Sequence, residues 1–159
     1  MHLEGQVRQW FEEIRNNAYP DISSKLIFKH LKFSMTGYSS PFNGNVYLNL
    51  DLINIHESPK EAVIGIIAHE LAHQVSYKKR TFISEIGLIW NYWLSVKKRR
   101  AVELETDEIA VQRGFGKELL ADRESEDKYY SNDKKTLEII RNVYLGPAEI
   151  KKLIKKYSR

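Results

Sequence analysis

The chain contains no cysteine. Disulfide staples and cysteine-ligated zinc are therefore excluded, and the absence fits a cytoplasmic setting. Long hydrophobic runs are missing too. The nearest to a membrane-spanning stretch, Phe82 to Val96, is too short and carries Glu85, Asn91 and Ser95. His2, Glu4, Gln6 and Arg8 interrupt any apolar run at the N-terminus, so no secretory signal is expected. Nor is charge of one sign abundant. Against 25 basic residues stand 21 acidic ones, a net +4 that is too mild to argue for a nucleic-acid partner. The clusters Lys78-Lys79-Arg80, Lys97-Lys98-Arg99-Arg100 and Lys151-Lys152 with Lys155-Lys156 read as solvated helix ends and faces. Repeats, low-complexity segments and linkers are absent. With 159 residues, 42% hydrophobic and 29% charged, the composition is that of one soluble domain, 1–159.

Against these absences stands one dense feature, His69-Glu70-Leu71-Ala72-His73. Residues four apart on a helix lie one turn above each other on one face. Two imidazoles so placed can converge on a metal ion, with the intervening glutamate within reach of a water there. The pattern needs a helix, and Ser58-Pro59-Lys60-Glu61 predicts its start: serine as N-cap, proline at the first helical position, glutamate closing a capping box. Val63, Ile64, Ile67, Leu71 and Val75 then recur at three- and four-residue steps as a core stripe, over a helix from about Pro59 to Ser76. Gly65 is a poor helix former, which implies a packing reason such as another backbone close by.

Around that helix the pattern predicts an α+β fold. Leu3, Val7, Trp10, Phe11 and Ile14 mark an amphipathic first helix. Leu31, Phe33 and Met35 alternate with polar residues as a strand that starts as early as Leu26. Gly37 to Gly44 reads as a loop, Val46 to Leu50 as a second strand, and Asp51 to Glu57 as a lead-in. After the metal helix everything reads as helical: a buried helix over Phe82 to Val96, then Arg99 to Arg113 ended by Gly114, Gly116 to Tyr130, Asp133 to Tyr144, and a last helix with Pro147 at its first position.

A catalytic zinc takes three protein ligands and keeps one position open. No histidine follows His73, so the third ligand is a carboxylate unless His2, His30 or His56 folds back. Glu103-Leu104-Glu105-Thr106-Asp107-Glu108 offers carboxylates. Glu103 and Asp107 share a face with the small residues Ala110 and Gly114, while Glu105 and Glu108 point to solvent.

His-Glu-x-x-His followed thirty residues later by Glu103-x-x-x-Asp107 resembles the gluzincin metallopeptidases. In its size the chain is similar to a minigluzincin, a soluble peptidase core related to the CAAX-prenyl-protease and heat-shock-peptidase group. The resemblance covers about residues 31–114, with a helical extension over about 116–159. It implies a zincin-like fold with one Zn2+ ion held by His69, His73 and Glu103. It makes Asp107 the acceptor that orients a ligating imidazole, and Glu70 the general base of peptide hydrolysis. A peptide substrate is expected to add as a strand along Asn45 to Leu50. Thr106 stands where alanine is common in the group. Arg113, Tyr129, Tyr130 and Tyr144 are the candidates for stabilising the tetrahedral intermediate.

Two other readings use further parts of the chain. One is a latent or non-catalytic zinc protein whose own terminal segment, Gly116 to Arg159, covers the cleft. The other is contact with a membrane surface through Ile86, Leu88, Ile89, Trp90, Tyr92, Trp93 and Leu94; core packing of these residues is preferred, because a small domain has few other large apolar side chains.

Overall fold

A computed structural model describes residues 2–31, 35–79 and 95–158. Helix α1, Leu3–Ala18, buries Val7, Phe11 and Ile14 at four- and three-residue steps. The chain then turns so that Tyr19, fully buried, donates its hydroxyl to Ala68 O at 2.9 Å. That bond ties the end of α1 to the helix carrying the histidines.

Three short strands follow: β1 Leu26–Phe28, β2 Gly37–Ser39 and β3 Val46–Leu48. Their order in the sheet is β1-β3-β2, with β3 parallel to β1 (Leu26 opposite Val46) and antiparallel to β2 (Tyr38 opposite Tyr47). Val46 and Leu48 are fully buried on one face, and Tyr47 meets the Tyr38 ring on the other at 5.9 Å. The alternation anticipated for this strand is therefore present from Val46 to Leu48, but Leu50, expected to continue it, opens the next helix with Asn49 as its cap. The first strand lies at the early edge of its expected range; Leu31 and Met35 are outside β-structure, and residues 32–34 are outside the described residues. The expected loop of Gly37 to Gly44 begins instead with β2. Glycine and serine have little strand propensity, and pairing with β3 makes the strand in their place.

Helix α2, Leu50–Ile55, occupies the expected lead-in, capped by the Asn49 side chain on Leu52 N. It changes how the next helix begins. Glu57 takes a left-handed conformation (φ 47°), and the Ser58 N–H is already donated to Ile53 O at 3.2 Å. Helix α3, Lys60–Lys78, thus has Pro59 in the capping position and no side-chain cap, so the expected Ser58 box does not form. Nor is α3 amphipathic. From Ala62 to Ser76 every residue but Ile64 is buried, and Ile64, half-buried, still packs against the core as its place in the stripe implies. Its neighbours enclose it: α1, β2, α4 (Val96–Gln112) and α5 (Gly116–Tyr129) all pack against it. The α5 contact runs over Gly65, where a Cβ would sit 2.3 Å from Glu118 O. The glycine is there for close approach of another backbone, as its position implied.

Helix α6, Lys134–Arg141, has no buried residue, and α7, Pro147–Tyr157, starts with proline at its first position. Arg141 ties α6 to α5 through Glu126 at 2.8 Å and Asp127 at 2.5 Å. Among the described residues there are seven helices and one mixed sheet, which is the expected α+β class. No helix among them is long and apolar enough to cross a membrane. The helix expected over Phe82 to Val96, and the membrane-facing reading of the same stretch, lie outside the described residues up to residue 94.

Candidate metal centre

His69, Glu70 and His73 come from the middle of α3, and Glu103, Thr106 and Asp107 from the facing side of α4. The small residues of that side let the two helices meet; Ala110 and Thr106 are fully buried. Glu103 Oε2 lies 3.1 Å from His69 Nε2 and 3.4 Å from His73 Nε2. One ligand atom from each of the three residues falls within 4.8 Å of the others, and all three residues are buried. Metal–ligand bonds of about 2.0–2.1 Å in tetrahedral array set ligand atoms about 3.3 Å apart. The two contacts match that edge length. Two nitrogens and one carboxylate oxygen are also the donor set of a catalytic zinc site.

The bonds behind the imidazoles set their tautomers. Asp107 Oδ1 lies 2.8 Å from His69 Nδ1, and a carboxylate only accepts, so Nδ1 carries the proton. Thr106 Oγ1 donates its one proton to Val102 O at 2.9 Å and lies 3.1 Å from His73 Nδ1. It therefore accepts from that nitrogen. Both Nε2 atoms are turned toward Glu103. Burial acts to lower the His69 pKa, but Asp107 and Glu103 outweigh it and push it up to about 10. Burial acts to raise Glu103, and His73 and His69 overcome it, holding the carboxyl well below its ordinary range.

Glu70 does not join this cluster of donors. Its backbone carbonyl accepts from Ser39 Oγ at 2.5 Å, and its carboxyl lies against Gly37 of β2. Burial pushes its pKa up, opposed by His73 and His69. With His69 it lines a cavity of about 280 Å³. Other walls of the cavity come from Thr36 and Gly37, from Ile66, from Asp122, Arg123 and Tyr130 of α5 and its end, and from Ile140 and Tyr144 in and after α6.

The structure thus brings His69, His73, Glu103 and Asp107 together, with Glu70 on the adjoining cavity wall, and adds none of the alternative histidines to the donor cluster. His2 and His30 are exposed; His56 lines the same cavity as His69 and Glu70 but stands apart from the donor cluster, its ring packed at a tilt on Tyr129 with centres 3.8 Å apart. Glu105 and Glu108, expected in solvent, are engaged: Glu105 accepts from Ser76 Oγ at 3.1 Å, and Glu108 pairs with Lys156 at 2.8 Å. Of the four candidates for the tetrahedral intermediate, Arg113 is turned to Ala18 O and Asp21, and Tyr129 is held by His56. Tyr130 and Tyr144 line the cavity, and the Tyr144 ring lies 6.4 Å from that of His69. The strand expected to receive a peptide, Asn45 to Leu50, cannot do so, because β3 is paired along both edges. Sequence reasoning also missed the Thr106 hydroxyl, although it lies three residues from Glu103 on the same face. Arg123, which contacts Asp107 Oδ1 at 3.3 Å, carried no motif.

Comparison with protein-family models, curated proteins and solved structures returns no match.

Proposed function

We propose that the protein is a zinc-dependent peptidase. What carries this reading is the convergence of the His69, His73 and Glu103 donors, together with the cavity that His69 and Glu70 both line. When bound there, Zn2+ would polarise the scissile carbonyl and acidify water. Glu70 then takes a proton from the attacking water as its oxygen bonds the carbonyl carbon. It passes that proton to the leaving nitrogen as the carbon–nitrogen bond breaks. Its raised proton affinity suits a group that must both accept and return a proton. Tyr144, beside His69 on the cavity wall, donates to the developing oxyanion.

The substrate is an extended peptide added along β2. Ser40 N bonds Asn45 O at 3.0 Å and Asn49 N bonds Thr36 O at 2.9 Å, which marks the even-numbered residues as those bonded to β3. By the alternation of an antiparallel pair, the amides of Gly37 and Ser39 then point away from β3. Among the described residues no strand pairs on that side. A peptide there passes over Glu70 with its carbonyls toward the donors.

The test is metal analysis with a casein or peptide-library digest. The wild type is expected to hold one zinc and cleave. Glu70→Gln is expected to keep the zinc and lose cleavage, and Glu103→Ala to lose the zinc. Retained cleavage by purified Glu70→Gln, or unchanged zinc in Glu103→Ala, refutes the assignment. A second reading is favoured by one observation: Thr136, Ile139 and Ile140 of α6 line the cavity. In it the C-terminal helices keep the site latent, and removing α6 together with α7 raises cleavage; equal activity before and after removal counts against latency.

A further inference from the structure

Arg123 lies in the middle of α5, on neither of the helices that supply the metal donors. Its side chain is 7% exposed. It reaches Asp122 Oδ2 with Nη1 at 2.6 Å and Asp107 Oδ1 with Nη2 at 3.3 Å, and the Tyr144 ring lies 5.4 Å from its Cζ. Asp107 is itself fully buried, and its Oδ1 takes both the Arg123 guanidinium and His69 Nδ1. A continuous chain therefore runs Asp122–Arg123–Asp107–His69 and ends on a nitrogen that faces Glu103.

We propose that Arg123 is a positioning residue of the metal centre: its charge holds Asp107 in place against His69 Nδ1, and so holds the His69 Nε2 lone pair on the metal. This rests on the metal-binding reading given above. The physical case is one of charge burial. An ionised carboxylate removed from water needs a compensating partner, and breaking such a pair leaves a buried charge uncompensated, which is strongly unfavourable. Asp107 has two partners, and Arg123 is the one that is always charged. With it gone, the carboxylate turns toward the neighbouring cavity and its water, which Arg123 itself borders. His69 then loses the acceptor that fixes its ring plane. Residues that orient a ligating histidine in this way are worth about ten- to a hundredfold in metal affinity. A fork-shaped guanidinium suits the role, because its two ends are spent on two carboxylates and the group cannot swing.

The close packing of α3 on α5 serves the same end. Gly65 lies one turn before His69, and with no Cβ it lets the α5 backbone at Glu118 come into contact, five residues before Arg123. The helix that brings the charge is thus held against the helix that brings the imidazole.

The test uses the full chain, zinc alone as the probe, and competition with a chromogenic chelator; circular dichroism checks the fold. Arg123→Met is expected to bind zinc about ten- to a hundredfold more weakly than wild type. Arg123→Lys, which keeps the charge, is expected to recover most of that loss. A one-bond nitrogen–proton spectrum of the zinc-loaded protein, tuned to imidazole N–H groups, reads the His69 Nδ1 proton directly. It is expected to exchange faster and move upfield in Arg123→Met and to stay near its wild-type position in Arg123→Lys. If Arg123→Met fails to fold, Arg123→Gln, neutral but still a donor, takes its place in the comparison. Wild-type zinc affinity and an unmoved Nδ1 signal in the neutral variant overturn the proposal, as does a lysine variant no better than the neutral one. A wild-type protein that binds no zinc refutes the metal-binding reading instead, so the two failures are told apart.

Discussion

A methyl group on Gly37 would sit 2.6 Å from Oε1 of Glu70 and 2.9 Å from its Cγ. The edge strand and the candidate base are thus packed so closely that only a residue without a side chain fits between them. Gly37→Ala forces the Glu70 carboxyl to turn or β2 to lift. Because the obstructing atoms belong to a side chain that can rotate, the fold is expected to survive. Cleavage is expected to fall about a hundredfold, as for a misplacement of roughly 1 Å, with zinc content unchanged. Elemental analysis beside a peptide digest reads both; full activity would show that Glu70 is not needed at its observed position.

Thr106→Val removes the oxygen that accepts from His73 Nδ1 and leaves that buried N–H without a partner. The loss is about 1–3 kcal/mol. It is expected as zinc affinity weaker by about tenfold or more, measured by chelator competition. Thr106→Ser keeps the oxygen and is expected to stay close to wild type. Equal weakening in both variants would mean that the methyl group, and not the hydroxyl, supports the histidine.

Gly65→Ala drives a Cβ into the Glu118 carbonyl at 2.3 Å, where the obstacle is backbone and cannot rotate away. Overpacking of this kind costs about 1–3 kcal/mol. The expected result is a lower midpoint in chemical denaturation, with weaker zinc binding alongside it, because α5 carries Arg123. A midpoint as high as the wild type's would show that the two helices part without cost.

Glu149 accepts from Gly146 N at 3.1 Å and from Arg100 Nη2 at 2.6 Å. Burial acts to raise its pKa, but these bonds and the Arg100 charge lower it overall. A carboxyl with a depressed folded-state pKa stabilises the protein above its unfolded value near 4.5, and that contribution disappears as pH falls through the folded value. Glu149→Gln is therefore expected to be less stable than wild type at pH 7 by at most about 1 kcal/mol, since the pair is partly exposed. The difference is expected to be smaller at pH 3, below the unfolded value. Denaturant titrations at the two pH values check the sign; a gap that persists undiminished in acid would rule out the charge as its source.

The donors were legible because helical spacing alone aligns them. His69 and His73 are one turn apart, as are Glu103 and Asp107, and small residues beside the latter pair announced a close helix contact. What escaped was fixed by contacts distant in sequence. Glycine and serine give no sign that residues 37–39 form a strand; the strand exists because β3 pairs with it and Glu70 lies beneath it. Nothing local shows that β3 also pairs in parallel with β1, which closes the edge once assigned to the peptide. Ser58 has the makings of a cap, but the tight junction after α2 had already engaged it. Arg123 has no pattern at all, since only the approach of α5 at Gly65 brings it to Asp107.

The near-complete enclosure of α3 between Ala62 and Ser76 bears on how an ion bound at its histidines would come and go. Amide hydrogens in a helix covered on every side exchange only through the largest openings of the molecule. The histidines therefore sit on the part of the backbone that opens last. Emptying the site is expected to leave the surrounding architecture intact, unlike small domains that are held together by their metal. Exchange of a bound ion is then expected to proceed through side-chain movement at the cavity wall rather than by unfolding of the helix that bears the histidines.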